Sequence, residues 1–272
     1  MKTIAKVLLV ILSVLALSQC KKDPESININ DDDFLNALIE RGVDKNNDGI
    51  ISPGEAAEVT FLNVGYCNIS DLKGIEAFVN LDSLNCSGNQ LTGLFVSNNT
   101  ALTFLDCSYC NLWTLDLSHN TALTSLICQI NLLLTLDLSN NTALTTLDCT
   151  ACRLTSLDVS HNTALTSLIC TFTNLATLDL SKNTALTSLD CAVSLLTSLD
   201  VSNCIALKYL DCRWNKLTTL DLSKNTSLGE MSLGMMPSLY KVCVWAMPFP
   251  PTGVITITFG SPNLYFTMDC SK

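Results

Sequence analysis

The feature that most constrains this chain is a period of 21 residues that starts at Leu81. Successive units open LDSLNCSGNQL, LTFLDCSYCNL, LTSLICQINLL, LTTLDCTACRL, LTSLICTFTNL, LTSLDCAVSLL and LKYLDCRWNKL, and a divergent unit, VTFLNVGYCNI, begins at Val59. A unit this short cannot close a hydrophobic core by itself. It has to bury its apolar side against the next unit, and repetition then makes a solenoid. Each unit is also nested, because its second half, as in LWTLDLSHNTA, repeats the same leucine spacing. Two short extended segments are therefore expected in every coil, facing each other across a thin core.

The pattern LxxLxLxxNxL, held from Val59 to Val244, resembles the leucine-rich repeat, and its ten-plus-eleven nesting resembles the bacterial IRREKO variety. The resemblance implies a mostly β solenoid of about eight coils of 21 residues. A short helical cap would precede it and a β-rich cap would follow, with GVITITFG and NLYFTMDC as strands closing the open end.

The same frame explains the cysteines, of which the chain has 14. Cys107/Cys110 and Cys149/Cys152 form Cys-x-x-Cys pairs, a spacing that suits a zinc site or a dithiol centre. In the repeat, however, Cys86, Cys107, Cys128, Cys149, Cys170, Cys191 and Cys212 all take the third core position of the first segment, where Val64 and Leu233 stand in the first and last units. Exchange with apolar residues marks Cys as a small hydrophobe there. Cys67, Cys110 and Cys152 take the repeat's Asn position, as Cys204 does in a second half. The resemblance implies that such side chains turn inward toward neighbouring backbone. Packing is thus expected for the set. Cys243 and Cys270 lie outside it, and the sequence leaves open whether they pair.

Two segments precede the repeats. Lys2 and Lys6 introduce an apolar run, Val7 to Leu17, too short to span a bilayer, and LSQC at its end resembles a bacterial lipobox. That likeness implies a signal peptide over 1–19, a lipid on Cys20 and a polar tether over 20–30. An ordinary signal peptide with an incidental cysteine is the alternative. DKNNDGIISPGE then follows the twelve-residue EF-hand pattern and resembles a single EF-hand or dockerin-type loop inside a cap over 31–58. Asp44, Asn46 and Asp48 stand at loop positions one, three and five, Gly49 makes the turn, Ile50 offers its carbonyl, Ser52 stands at nine and Glu55 at twelve. Calcium in a structural role is the implied cofactor. A turn of the same shape that binds nothing is the alternative.

Net charge is −10 and no basic stripe exists, which argues against nucleic acid as a partner. The two histidines, His119 and His161, are repeat-equivalent residues with no nucleophile arranged around them, so no enzyme is expected. Two surface rows remain. Asp116, Asp137, Asp158, Asp179, Asp200 and Asp221 form an acidic column. Just before the Asn position, first halves carry Tyr66, Gly88, Tyr109, Ile130, Ala151, Phe172, Val193 and Trp214, whereas second halves carry Asn98, His119, Asn140, His161, Lys182, Asn203 and Lys224. One ridge is apolar and the other polar, and exposed apolar rows mark contact sites. Phe104, Ile127, Ile169 and Tyr209 depart from the consensus on the same side.

The repeats are bounded at 59–228, with a terminal repeat and cap over 229–272. The sequence reads as a non-enzymatic, lipid-anchored binding module of the bacterial envelope, at the outer membrane or cell surface, resembling surface lipoproteins of the Bacteroidota. It is expected to be a monomer that meets a protein or glycan through Tyr109, Ile130, Phe172, Trp214, Phe104 and Tyr209. An envelope spacer and a host adhesin are the alternatives.

Overall fold

The computed structural model describes residues 26–270. The expected signal peptide over 1–19 and the expected lipid site, Cys20, lie outside these residues. Among the described residues no helix is long and apolar enough to cross a membrane.

A cap opens the fold. Helix α1 (Asp32–Glu40) starts at Asp31, whose carboxylate accepts the Phe34 N–H at 2.9 Å. The same side chain accepts the Ser70 N–H and hydroxyl and the Asp71 N–H, which ties the cap to the first coil. Burial pushes the Asp31 carboxyl up, but the bonds from Ser70, Phe34 and Asp71 outweigh it and hold it below the ordinary value. Helix α2 (Pro53–Ala57) begins with a capping box between Ser52 and Glu55. Residues 26–30, expected to be tether, belong to this cap instead. Ile27 and Ile29 pack on the core, and the Ile27 N–H donates to the Ile51 carbonyl, so the alternation of Ile with Asn buries one side.

The solenoid follows as a parallel sheet of ten strands: β1 (Phe61–Asn63), β2 (Ser83–Asn85), β3 (Phe104–Asp106), β4 (Ser125–Ile127), β5 (Thr146–Asp148), β6 (Ser167–Ile169), β7 (Ser188–Asp190), β8 (Tyr209–Asp211), β10 (Glu230–Ser232) and β12 (Ile255–Ile257). In every strand the central residue points inward and its neighbours outward, as the period of two demands. Register pairs Leu62 with Leu84, Leu84 with Leu105, and so on to Met231 with Thr256. On the opposite side β9 (Thr219–Asp221), β11 (Lys241–Cys243) and β13 (Tyr265–Thr267) form a second sheet of three strands.

The coil count corrects the sequence reading. GVITITFG and NLYFTMDC do not fold over the end. They form β12 and β13, which pair in parallel with β10 and β11 and add a coil of the same kind. The last coils escape the consensus because Met231 and then Thr256 replace the inward leucine. Cys243 and Cys270 form a disulfide with their Cα atoms 5.5 Å apart, joining the stretch after β13 to β11.

Two inward ladders lock coil to coil. Asn89, Asn131 and Asn215 each donate Nδ2 to the carbonyl of the preceding coil's core position, Val64, Cys107 and Cys191, at 2.8–2.9 Å. Cys110 and Cys152 take the same role, donating Sγ–H to the Cys86 and Cys128 carbonyls at 3.2 Å. In the second halves Asn99, Asn120, Asn141, Asn162, Asn183 and Asn225 donate in the same way to the coil before, for example Asn120 to Val96 at 3.0 Å and Asn99 at 2.9 Å. Their amide oxygens have no partner among the described residues.

The cysteine column from Cys86 to Cys212 is 0% exposed throughout, next to a continuous wall of leucine. Because Val64 already fills this position in the first coil, Cys149→Val should cost less than about 1.5 kcal/mol, as volume-conserving swaps do. Cys149→Ser leaves a hydroxyl among leucines and should cost about 1–3 kcal/mol. Urea denaturation of the two variants measures the order, and a valine costlier than serine would contradict the packing role.

Candidate functional site

The calcium-type loop connects α1 to α2. Gly49, at φ +81°, makes its turn, and the Asp44 carboxylate accepts the Gly49 and Asp48 N–H groups at 2.9 and 3.3 Å. Asn46 accepts from the Asp48 N–H, and Asp48 from the Ile50 N–H. Glu55 accepts the Lys45 N–H on one oxygen, and the Ser52 N–H and hydroxyl on the other. The Ser52 N–H is the first cause holding the Glu55 carboxyl below its ordinary range. Asp44 and Glu55 are only 7% and 9% exposed, and neither has an ion pair among the described residues. These hydrogen bonds keep both carboxylates charged, and a set of oxygen donors of this kind fits a hard ion. The carboxylate oxygens of Asp44, Asp48 and Glu55 are not all within 4.8 Å of one another, so binding would draw the loop inward. The group that does gather so closely among the described residues is Asp221, Cys243 and Cys270, whose sulfurs are joined.

The apolar ridge has a property that the repeat pattern does not announce. Tyr66, Tyr109, Ile130, Ala151, Phe172, Val193, Trp214 and Met235 all have φ between +51° and +59°, in the left-handed region. For an L-residue that conformation costs roughly 1–2 kcal/mol, and for β-branched Ile130 and Val193 it is a clear departure from preference. The neighbouring coil enforces it. Each ridge N–H donates to a carbonyl of the next coil, as Tyr109 does to Gln129 at 2.9 Å, Ile130 to Thr150 at 2.7 Å and Phe172 to Ala192 at 3.1 Å. Gly88 and Gly260 hold the same place, where a Cβ would collide with Tyr66 and Met235 respectively.

Tyr109, Ile130, Phe172 and Trp214 are between 42% and 60% exposed, and they lie along one edge of the sheet as expected. Phe104 and Tyr209 sit elsewhere, half-buried on the outer face of β3 and β8, in a row with Ser125, Thr146, Ser167 and Ser188. Beside that row Asp106, Ile127, Asp148, Ile169, Asp190 and Asp211 are in register, so charge and hydrocarbon alternate as far as Asp190, where two aspartates stand side by side. Burial pushes the Asp190 carboxyl and the Tyr209 phenol up. Arg213 closes the row, with Nη2 2.6 Å from Asp211. The sequence reading did not single out Trp113 and Leu134, both large, apolar and exposed, in the same coils as Tyr109 and Ile130. They stand where later units carry Thr155, Thr197 and Thr218, a departure visible in the repeat alignment.

The acidic column is in place but less repulsive than its charges suggest. Each carboxylate accepts the N–H of the serine two residues on, at 2.8–2.9 Å. These bonds come first among the causes that hold Asp116, Asp137, Asp158, Asp179 and Asp200 below the usual carboxylate range. A lowered folded value means that their contribution to stability is present above the unfolded pKa of about 4 and is lost as pH falls through the folded one. The thiols go the other way. Burial pushes Cys107, Cys149 and Cys191 up, Cys170 to about 12 and Cys204 to about 11, so these five are protonated at neutral pH and weak nucleophiles.

Solved structures place this architecture. The functional domain of InlJ from Listeria monocytogenes, described as including a cysteine ladder, is 28% identical over 89% of this chain, with a TM-score of 0.65. The match covers 64% of that domain, so the chain spans less than two thirds of it. Internalin C2 of Listeria monocytogenes is similar at 19% identity and a TM-score of 0.65, covering 74% of this chain and 92% of its own. The leucine-rich repeat domain of APL1B aligns at 16% identity and a TM-score of 0.55, over 73% of this chain and 69% of that one. This is a leucine-rich repeat solenoid. No family model matches the sequence, and a search of curated proteins found no match.

Proposed function

We propose that the chain is a non-enzymatic binding module whose ridge, with the adjoining outer face of the sheet, receives an extended segment of a protein partner. The observation that carries this reading is the exposed row Tyr109, Ile130, Phe172 and Trp214, held in left-handed backbone where Gly or Asn would sit without strain. Strained positions persist where structure over-determines them, and they concentrate at ligand-binding surfaces. Large aromatic groups supply most of the energy of such contacts. Six coils from Tyr109 to Trp214 give a row about 25 Å long at roughly 5 Å per coil, enough for an extended peptide. A glycan stacking on the same rings is the second reading, favoured by the aromatic spacing alone.

Two supporting roles complete the proposal. A calcium ion held by Asp44, Asn46, Asp48, Ser52, Glu55 and the Ile50 carbonyl would stiffen the cap and supply the positive charge that the buried carboxylates lack. A lipid on Cys20 would hold the module at the envelope, and a Cys20→Ser chain should leave the membrane fraction. Retention of that variant there would contradict the anchor.

The ridge is tested by substitution. Trp214→Ala and Tyr109→Ala should each weaken binding of a partner captured from envelope extract by at least about 1 kcal/mol, with folding little changed. Unaltered affinity in both would move the site to the acidic column.

The calcium role is read by melting. Ligand at a hundredfold excess over its dissociation constant adds about 2.7 kcal/mol to stability, so calcium should raise the wild-type melting temperature and chelator should lower it. Glu55→Ala should lose most of that response. Wild-type melting indifferent to calcium and chelator would leave the loop a plain turn.

A further inference from the structure

The two ends of the solenoid are treated differently. At the first end, Arg41 donates to the Asn63 carbonyl on the outer edge of β1, and Arg41, Lys45 and Glu58 line the cleft against that edge. Charged side chains are a usual way to blunt an exposed strand. The other end is composed differently. No charged residue lies between Lys241 and Asp269, in a chain of net charge −10.

That uncharged stretch contains both terminal strand edges. The Ile255 N–H donates to the Gly229 carbonyl, and the Ile257 carbonyl accepts from the Leu233 N–H. Likewise the Tyr265 N–H donates to Tyr240, and the Thr267 carbonyl accepts from Val244. Backbone groups alternate sides along a strand, so those of Thr256 and Phe266 face outward from the end. The run VITITF is uncharged, rich in β-branched residues and free of proline, the composition that pairs most readily at an open edge. Ile255 and Ile257 lie exposed on its outer side, and Val254, Leu264 and Phe266 are only partly covered. Inside, the Thr256 hydroxyl is buried and has no partner.

We propose that two copies of this chain join tail to tail, β12 against β12 and β13 against β13, each pair antiparallel across one twofold axis. An axis through Thr256 and Phe266 reverses strand direction and brings both edges together at once. It sets Thr256 opposite its own copy, where two threonine hydroxyls bond to each other, and Ile255 opposite the second copy's Ile257. The contact is isologous and closes at two. The uncharged end is also where two strongly acidic chains approach with least repulsion. This departs from the monomer expected from the sequence, and it leaves the ridge open on both copies.

Sedimentation equilibrium of the detergent-solubilised full chain, across a concentration series, tests the proposal. The expected result is a protein mass twice that of one chain. The double variant Ile255→Lys, Ile257→Lys places lysines opposite one another across the axis without touching the core, and should sediment as a folded monomer whose melting temperature no longer rises with protein concentration, as that of the wild-type dimer does. Thr256→Val should weaken self-association at least tenfold while keeping or raising the stability of the monomer. A wild-type monomer at every concentration, growth beyond the dimer, or a lysine variant that stays dimeric would each overturn the proposal.

Discussion

Everything in this molecule depends on the hydrogen bonds that run from one coil to the next. A coil of 21 residues offers only short strands and a thin slice of leucine, which cannot hold a fold alone. Stacking supplies the missing half of each interaction. Strand pairs with strand, the inward Asn and Cys side chains bond to carbonyls one coil back, and the leucine slices merge into one core. The cysteines belong to this system in two ways. Those of the core column fill space, and those of the ladder donate Sγ–H where Asn would donate Nδ2.

The same bonds create the surface proposed for binding. A ridge residue whose N–H must reach the next coil has its backbone fixed in the left-handed region, whatever its side chain. Glycine or asparagine would satisfy that geometry with less strain. The chain instead places tyrosine, isoleucine, phenylalanine and tryptophan there, exposed, while the equivalent loops of the second halves carry Asn, His and Lys. Relief of backbone strain would not favour that choice. A rigid row of large apolar side chains suits contact, because rigidity removes most of the ordering cost of binding.

Much of this was legible in the sequence, for a physical reason. The period alone fixed the solenoid, the inward columns and the fate of both Cys-x-x-Cys pairs, since a residue's place in a repeat sets its direction. The ridge was legible as a contrast between half-repeats. Its left-handed backbone was not, because the residues carrying it are among the last expected there, and only the neighbouring coil imposes it. The last coil was misread as a cap because Thr256 replaces leucine while backbone pairing, which tolerates any side chain, carries on. Ile27 and Ile29 were lost in a polar segment whose alternation is too short to stand out.

The central claim is that the ridge is kept for contact and not for packing. Equilibrium unfolding of Ile130→Asn and Val193→Asn tests it most directly, because asparagine is at ease in the left-handed region. If the ridge side chains add nothing to the fold, relief of strain should leave the unfolding midpoint unchanged or raise stability by about 1 kcal/mol. A loss of about 2–5 kcal/mol, the scale of a core deletion, would show that these side chains hold the solenoid together and would contradict the account.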